Sequence, residues 1–151
     1  MAITQAMVTS FKVEILDAIH NFGTTVTRAS TAADTFKIAL YTSSATLSAS
    51  TTAYTTSNEV SSSGTNYTAG GQTLTISQVP TYTGTTAWLD FDDVTWPSAT
   101  LTANGALIYN ATQSNKAVAV LAFGGDKTST AGNFTVQFPA ATSTTAILRI
   151  A

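Results

Sequence analysis

The stretch FKIALY, Phe36–Tyr41, decides the fold. Phe36, Ile38 and Leu40 alternate with Lys37, Ala39 and Tyr41, and a period of two places each set on its own face of a strand. The pattern returns in NFTVQF (Asn133–Phe138), where Phe134, Val136 and Phe138 share a face. Around these lie TLTISQV, TAWLDF, DVTW, ATLTA, GALIYN, KAVAVLAF and TTAILRI, rich in β-branched and aromatic residues and separated by Gly, Pro, Asn, Asp or Ser. No helical pattern follows any of them, so βαβ crossovers are not expected and the strands should pair mainly antiparallel. The expected fold class is all-β: an antiparallel jelly-roll or β-sandwich of about eight strands with a short N-terminal α-helix.

That helix is read from Val8, Phe11, Ile15, Ile19 and Phe22, which recur at three- and four-residue intervals. Thr9 or Ser10 is available as N-cap and Gly23 as terminator, and His20 would sit favourably near the negative end of the helix dipole. The length fits a single domain over 1–151, with an N-terminal helix or arm over 1–22 and a β-sandwich over 36–151. The sandwich carries a long Thr/Ser/Ala-rich loop over 41–72. A segment of that length is rarely a passive connector. Tyr54 and Tyr67 are its bulky anchors, and Gly70–Gly71 supply the turn into the next strand.

Charged residues make up only 9% of the chain, against a usual share of about 25%. Their place is taken by 31 Thr and 15 Ser, which gives a surface with little self-repulsion. Seven Phe, five Tyr and two Trp spread along the chain argue for a folded domain and against disorder. Lys and Glu are depleted where subunits meet, so their scarcity fits a surface partly covered by other chains, and equally a secreted or adhesin-like domain with a Thr-rich coat. With a net charge of −2 and no basic run, the chain is not built to neutralise a phosphate backbone, and no nucleic-acid partner is expected. Cysteine is absent, which excludes disulfides and Cys-based zinc sites. The N-terminus MAITQAMVTSFK has neither the cationic nor the apolar region of a secretory signal. The longest apolar run, AVAVLAF (Ala117–Phe123), falls far short of the roughly 20 residues that span a bilayer, so no membrane partner is expected.

Two stretches invite a chemical reading. WLDFDDVTW, Trp88–Trp96, gathers Asp90, Asp92 and Asp93 between two tryptophans, as a glycosidase pair or a hard-cation site would. Strand alternation explains them more simply: Leu89 and Phe91 point inward, Asp90 and Asp92 outward, and Asp93 turns the chain. The glycine that a calcium loop needs at its sixth position is missing. FGGDKTSTAG, Phe123–Gly132, places glycines beside Lys127 and Thr128, but the spacing is not that of a phosphate-binding loop and no helix follows. It reads as a hairpin loop between two strands. Nucleophilic catalysis has no GxSxG elbow, and His20 is the only histidine. No catalytic residue, cofactor or metal is expected.

Six stretches resemble a family of small virion structural proteins of tailed bacteriophages: TSFKVEIL, FKIALYTS, NEVSSSGTNYTAGGQTL, DFDDVTWPSATLTANGALIYN, AVLAFGGDKTSTAGNFTVQFP and AILRIA. Together they cover most of the chain. The most specific are YTAGG, DDVTW with GALIY shortly after, and FGGDKTS with its following strand. The chain departs from the family in EVSSSGTN, longer than the tight EVSGTG-like form, and in Asn104, where a basic residue is expected. The resemblance implies a capsid cement or head-decoration protein without enzymatic activity, made in the bacterial host cytoplasm and carried on the outer surface of the virion capsid. Its implied partners are the major capsid protein and itself, as a homodimer or homotrimer. Phe11 and Ile15 of the terminal helix, Tyr54 and Tyr67 of the long loop, and Trp96 are the candidate interface residues. The alternative is a tail or neck virion protein in which Tyr54, Tyr67 and one Trp stack on carbohydrate.

Overall fold

The computed structural model describes residues 2–16, 19–23 and 33–151, and within them the chain is all-β with one short helix. Eight strands form two sheets: β1 (Ala6–Met7), β2 (Phe36–Tyr41), β3 (Gln72–Thr73), β4 (Ile76–Thr83), β5 (Thr86–Phe91), β6 (Val94–Asn110), β7 (Lys116–Val136) and β8 (Leu148–Ile150). The larger sheet has the order β1-β7-β6-β2-β3 and the smaller β4-β5-β8, with every strand pairing antiparallel. Of the two architectures expected, this is the sandwich. The hairpins β4–β5 and β6–β7 each stay within one sheet, unlike the paired Greek keys of a jelly roll.

Phe36, Ile38 and Leu40 are buried as their alternation predicts, but Ala39 and Tyr41 on the other face of β2 are buried too. An aromatic chain links the sheets. Phe36 stacks on Phe22 with centroids 4.2 Å apart and lies 6.1 Å from Phe91 of β5, which in turn meets Phe138 at 6.0 Å. Each such pair contributes roughly 0.5–1.5 kcal/mol beyond the apolar area it buries.

β6 and β7 are longer than the short strands read from the sequence, because the expected breaks are bulges inside a continuing ladder. The register shifts near Pro97–Ser98, with Ser98 at φ 49° and Ala131 opposite at φ 48°. It shifts again between Ala103 and Gly105, where β7 accommodates Gly124 and Gly125 at φ 72° and 134°. FGGDKTSTAG is therefore not a hairpin loop but an interior stretch of β7. The actual turn is 111–115, with Ser114 and Asn115 at positive φ. On the outward face, Thr95 meets Thr135 and Thr102 meets Thr128, both with Oγ1 atoms 2.8 Å apart. Cross-strand pairs of this type are worth about 0.2–1 kcal/mol each.

The helix α1 (Thr9–Leu16) is shorter than the apolar periodicity predicted. Ala6 and Met7 leave the helical pattern to pair with Val120 and Ala119, covering part of the β7 edge. At the other end the Ile19 amide reaches back to the Glu14 carbonyl, 2.9 Å away, a wide turn that does not continue the helix. His20 consequently stands outside the helix and is not one of its dipole partners.

The long loop is tied down along its length. Isolated bridges join Leu47 to Ile3, Ala53 to Lys116 and Glu59 to Tyr41. It closes at Gly71, φ +69°, where an added Cβ would lie 1.7 Å from the carbonyl oxygen of Ile38. Only glycine fits there.

Candidate functional site

β5 and the start of β6 position the three aspartates, and each has a different environment. Asp92 and Asp93 are exposed between the strands, and Asp93 Oδ1 accepts the Phe138 amide at 2.8 Å, so it caps the end of β7. Asp90 is buried and not outward as alternation predicted. It pairs with Gln78 of β4, and its Oδ1 accepts the Phe91 amide at 2.9 Å. Burial pushes its carboxyl above the ordinary carboxylate range, and the Phe91 and Ile147 amides pull it part of the way back. The carboxylates do not converge. Among the described residues, no three His, Asp or Glu side chains group as a metal site requires.

The sequence did not single out Glu59, yet it organises the long loop. Its Oε1 accepts the Tyr67 hydroxyl at 2.6 Å and the Gly70 amide at 2.7 Å, and its Oε2 accepts the Tyr54 hydroxyl at 2.7 Å. The Leu40 amide donates to Tyr67 Oη at 3.0 Å, and Tyr54 stacks on Tyr109 at 4.7 Å. Burial first, then the nearby Glu59 charge, raises the Tyr41, Tyr54, Tyr67 and Tyr109 hydroxyls, that of Tyr109 to about 12. A cluster of neutral phenols around one carboxylate is a clamp and not an acid/base pair.

A second unforeseen cluster pins the N-terminal segment to the β6–β7 turn. Glu14 accepts from Lys116 Nζ and from His20 Nε2, each at 2.7 Å. Asn110, buried at the end of β6, donates Nδ2–H to His20 Nδ1 at 3.1 Å and to Asp34 Oδ2 at 2.7 Å. Burial raises the Glu14 carboxyl, but the hydrogen bonds from Lys116 and His20 and the Lys116 charge outweigh it and hold the group below its ordinary value. One turn earlier, Ser10 Oγ has no hydrogen-bond partner. Neither nitrogen of His20 is free to take its proton, so Ser–His catalysis has no geometry here. The signal available in the sequence was the local grouping of Glu14, His20 and Asp34, but the far partners Asn110 and Lys116 come from the other end of the fold.

Three of the five candidate interface residues are turned inward. Phe11, Tyr67 and Trp96 are each only 2% exposed, and they serve the core. Phe11 packs its edge on His20 at 4.8 Å, and Tyr67 lies 6.0 Å from Trp96 over β6. Tyr54 is half-buried and held by Glu59. Ile15 is half-buried and, together with the buried Phe11, lines a surface pocket, a space of about 200 Å³ between the N-terminal segment and the small sheet. Amphipathic periodicity does not distinguish a face docked on the chain's own sheet from one offered to a partner, which is why sequence reasoning misplaced them.

Comparison with protein-family models, curated proteins and solved structures finds no match to this chain.

Proposed function

We propose that this chain is a non-enzymatic bacteriophage capsid cement or decoration protein that binds the outside of the major capsid protein lattice as a homo-oligomer. The observation that carries this reading is the outward face of β6–β7. Thr95, Thr100, Thr102, Thr128, Thr130 and Thr135 present neutral hydroxyls on long paired strands, and along 95–104 of β6 and 124–135 of β7 the charged side chains are Asp126 and Lys127. Asp126 accepts from Asn104 at 2.8 Å. Such a face adheres by van der Waals contact and neutral hydrogen bonds. Binding to an assembled lattice favours that state by mass action, and several weak contacts per oligomer act together through effective concentration. The sugar-stacking alternative, which calls on Tyr54, Tyr67 and one Trp, is less well supported, since Tyr67 and Trp96 are buried and Tyr54 is held by Glu59, which leaves the half-exposed Trp88.

The test is occupancy on purified particles across a salt series. Neutral contacts should hold as the Debye length falls from about 10 Å at 0.1 M to about 3 Å at 1 M, whereas an ion-paired interface would release. Copies by the hundred on the head support the proposal. Loss of most copies at high salt, or about a dozen copies confined to the tail, overturns it.

A further inference from the structure

Tyr82 is the most exposed large apolar side chain among the described residues, at 77%, followed by Ile150 at 51% and Val79 at 37%. All three belong to the small sheet. Tyr82 opposes Ala87 on β5, and Ala87 opposes Ile150 on β8, so Tyr82, Ala87 and Ile150 form one cross-strand row on one face. The next opposed pair on that face, Leu89 and Leu148, is buried. The row therefore marks where the inner face of the small sheet runs out from under the core. Contiguous apolar exposure of this type marks an interaction surface.

The pocket of about 200 Å³ opens beside this row. Met7, Phe11 and Ile15 wall it on the N-terminal side, and Ala87, Leu89 and Ile150 on the sheet side. Among the described residues His20 is the only titratable group in the lining, and both of its nitrogens are already bonded. A protruding aromatic ring and an apolar hole thus share one patch.

We infer that this patch joins two copies of the chain about a two-fold axis, with Tyr82 of each seated in the pocket of the other. Size supports the match, because an apolar cavity of about 150 Å³ is enough to hold a benzene ring. Charge supports it as well. The row carries none, and Arg149 lies in the neighbouring row with Trp88 and Thr81, so no like charges are brought together. An isologous contact requires one surface to be complementary to itself, and a knob beside a hole satisfies that condition. A tyrosine inserted into a desolvated pocket is the type of residue that dominates interface energetics. The inference rests on the self-association in the proposed function and not on its capsid partner.

Sedimentation of the purified chain over a concentration series tests it. Wild type should dimerise, and Tyr82→Phe should dimerise nearly as well because the ring makes the contact. Tyr82→Ala should weaken association by roughly 30-fold or more while leaving the melting of the dilute chain unchanged, since the side chain is exposed. Ala87→Glu, which places a charge at the pocket, should also dissociate. A mixture of these last two variants should associate better than either alone, because the intact Tyr82 of one meets the intact pocket of the other. A monomeric wild type, an unaffected Tyr82→Ala variant, or a mixture that gains nothing overturns the inference. A chain that dimerises through Tyr82 but never binds capsids would refute the capsid reading alone, and a monomer that decorates capsids would do the reverse.

Discussion

Asn110 holds His20 through a hydrogen bond that only one tautomer of the ring can accept. The Asn110 amide is oriented by its own carbonyl, which accepts the Thr112 and Gln113 amides at 3.1 Å each, so Nδ2–H faces the ring. His20 Nδ1 is thereby the acceptor, and the proton resides on Nε2, where it is donated to Glu14. Asn110→Ala leaves His20 Nδ1, Asp34 and two turn amides without this partner. The expected loss is about 1–3 kcal/mol, or roughly 2–10 °C in Tm, checked by thermal denaturation beside an Asn133→Ala control on the exposed face of β7.

The Glu14 clasp sets an acid limit. Its carboxyl is held below its ordinary value of 4.5, so the ionised form is the one the fold favours. The stabilisation is full above that ordinary value and disappears as pH falls through the lowered folded one. Tm of wild type should exceed that of Glu14→Gln at neutral pH, and the two should converge below about pH 4.5. A constant difference across the acid range would refute the clasp.

At the alkaline end the tyrosines decide. Their folded values are raised above 10.0, so the neutral phenols stabilise the fold fully below pH 10.0 and that contribution fades as pH rises through the raised values. Tyrosinate absorbance from these residues should therefore appear together with loss of near-UV circular dichroism. Ionisation of all five tyrosines with the fold intact would contradict the burial of the cluster.

Glu59→Gln keeps the size of the clamp and removes its charge. Hydrogen bonds to a charged group are worth about 1.5–3 kcal/mol, so most of that should be lost for the loop. The change should be read by hydrogen exchange as faster opening at Tyr54, Tyr67 and Gly70, with β6 and β7 protected as before.

Gly71→Ala should cost on the order of 4 kcal/mol, because the new methyl collides with the backbone of β2. Gly64→Ala, at φ +71° with nothing within 4 Å, should cost only about 1 kcal/mol for its left-handed backbone. Comparison of soluble yield and Tm for the two separates steric exclusion from backbone strain.

The class of the fold was legible because alternation in FKIALY and TAWLDF is a local signal, and both stretches are strands over those residues. Strand length was not. Pro97, Asn104–Gly105 and Gly124–Gly125 carry the chemistry of turns, and whether such residues end a strand or bulge within it depends on a partner strand that continues opposite them. The helix was overestimated for a related reason: Ile19 and Phe22 hold helical spacing but stand outside the helix, Phe22 buried against Phe36 and Ile19 half-buried. Tyr54 and Tyr67 were recognised as anchors, but what they anchor to is Glu59, and nothing in a run of Thr and Ser indicates that one acidic residue gathers both hydroxyls. Phe11 and Trp96 were taken as adhesive because apolar character alone does not say which side of a surface a ring will occupy.

The order of synthesis meets an obstacle in this topology. Ala6 and Met7 leave the ribosome long before Ala119 and Val120, the residues they pair with. The small sheet is in the same position, since Trp88 waits for Arg149. The larger sheet is complete only with β7 and the smaller only with β8, so folding is dominated by contacts between distant parts of the chain and should be slow. During that interval the nascent strands are exposed, and the near absence of charge gives them little to keep neighbouring nascent chains apart. The yield of this protein in a cell is therefore expected to depend on chaperone occupancy during translation as well as on the stability of the finished molecule.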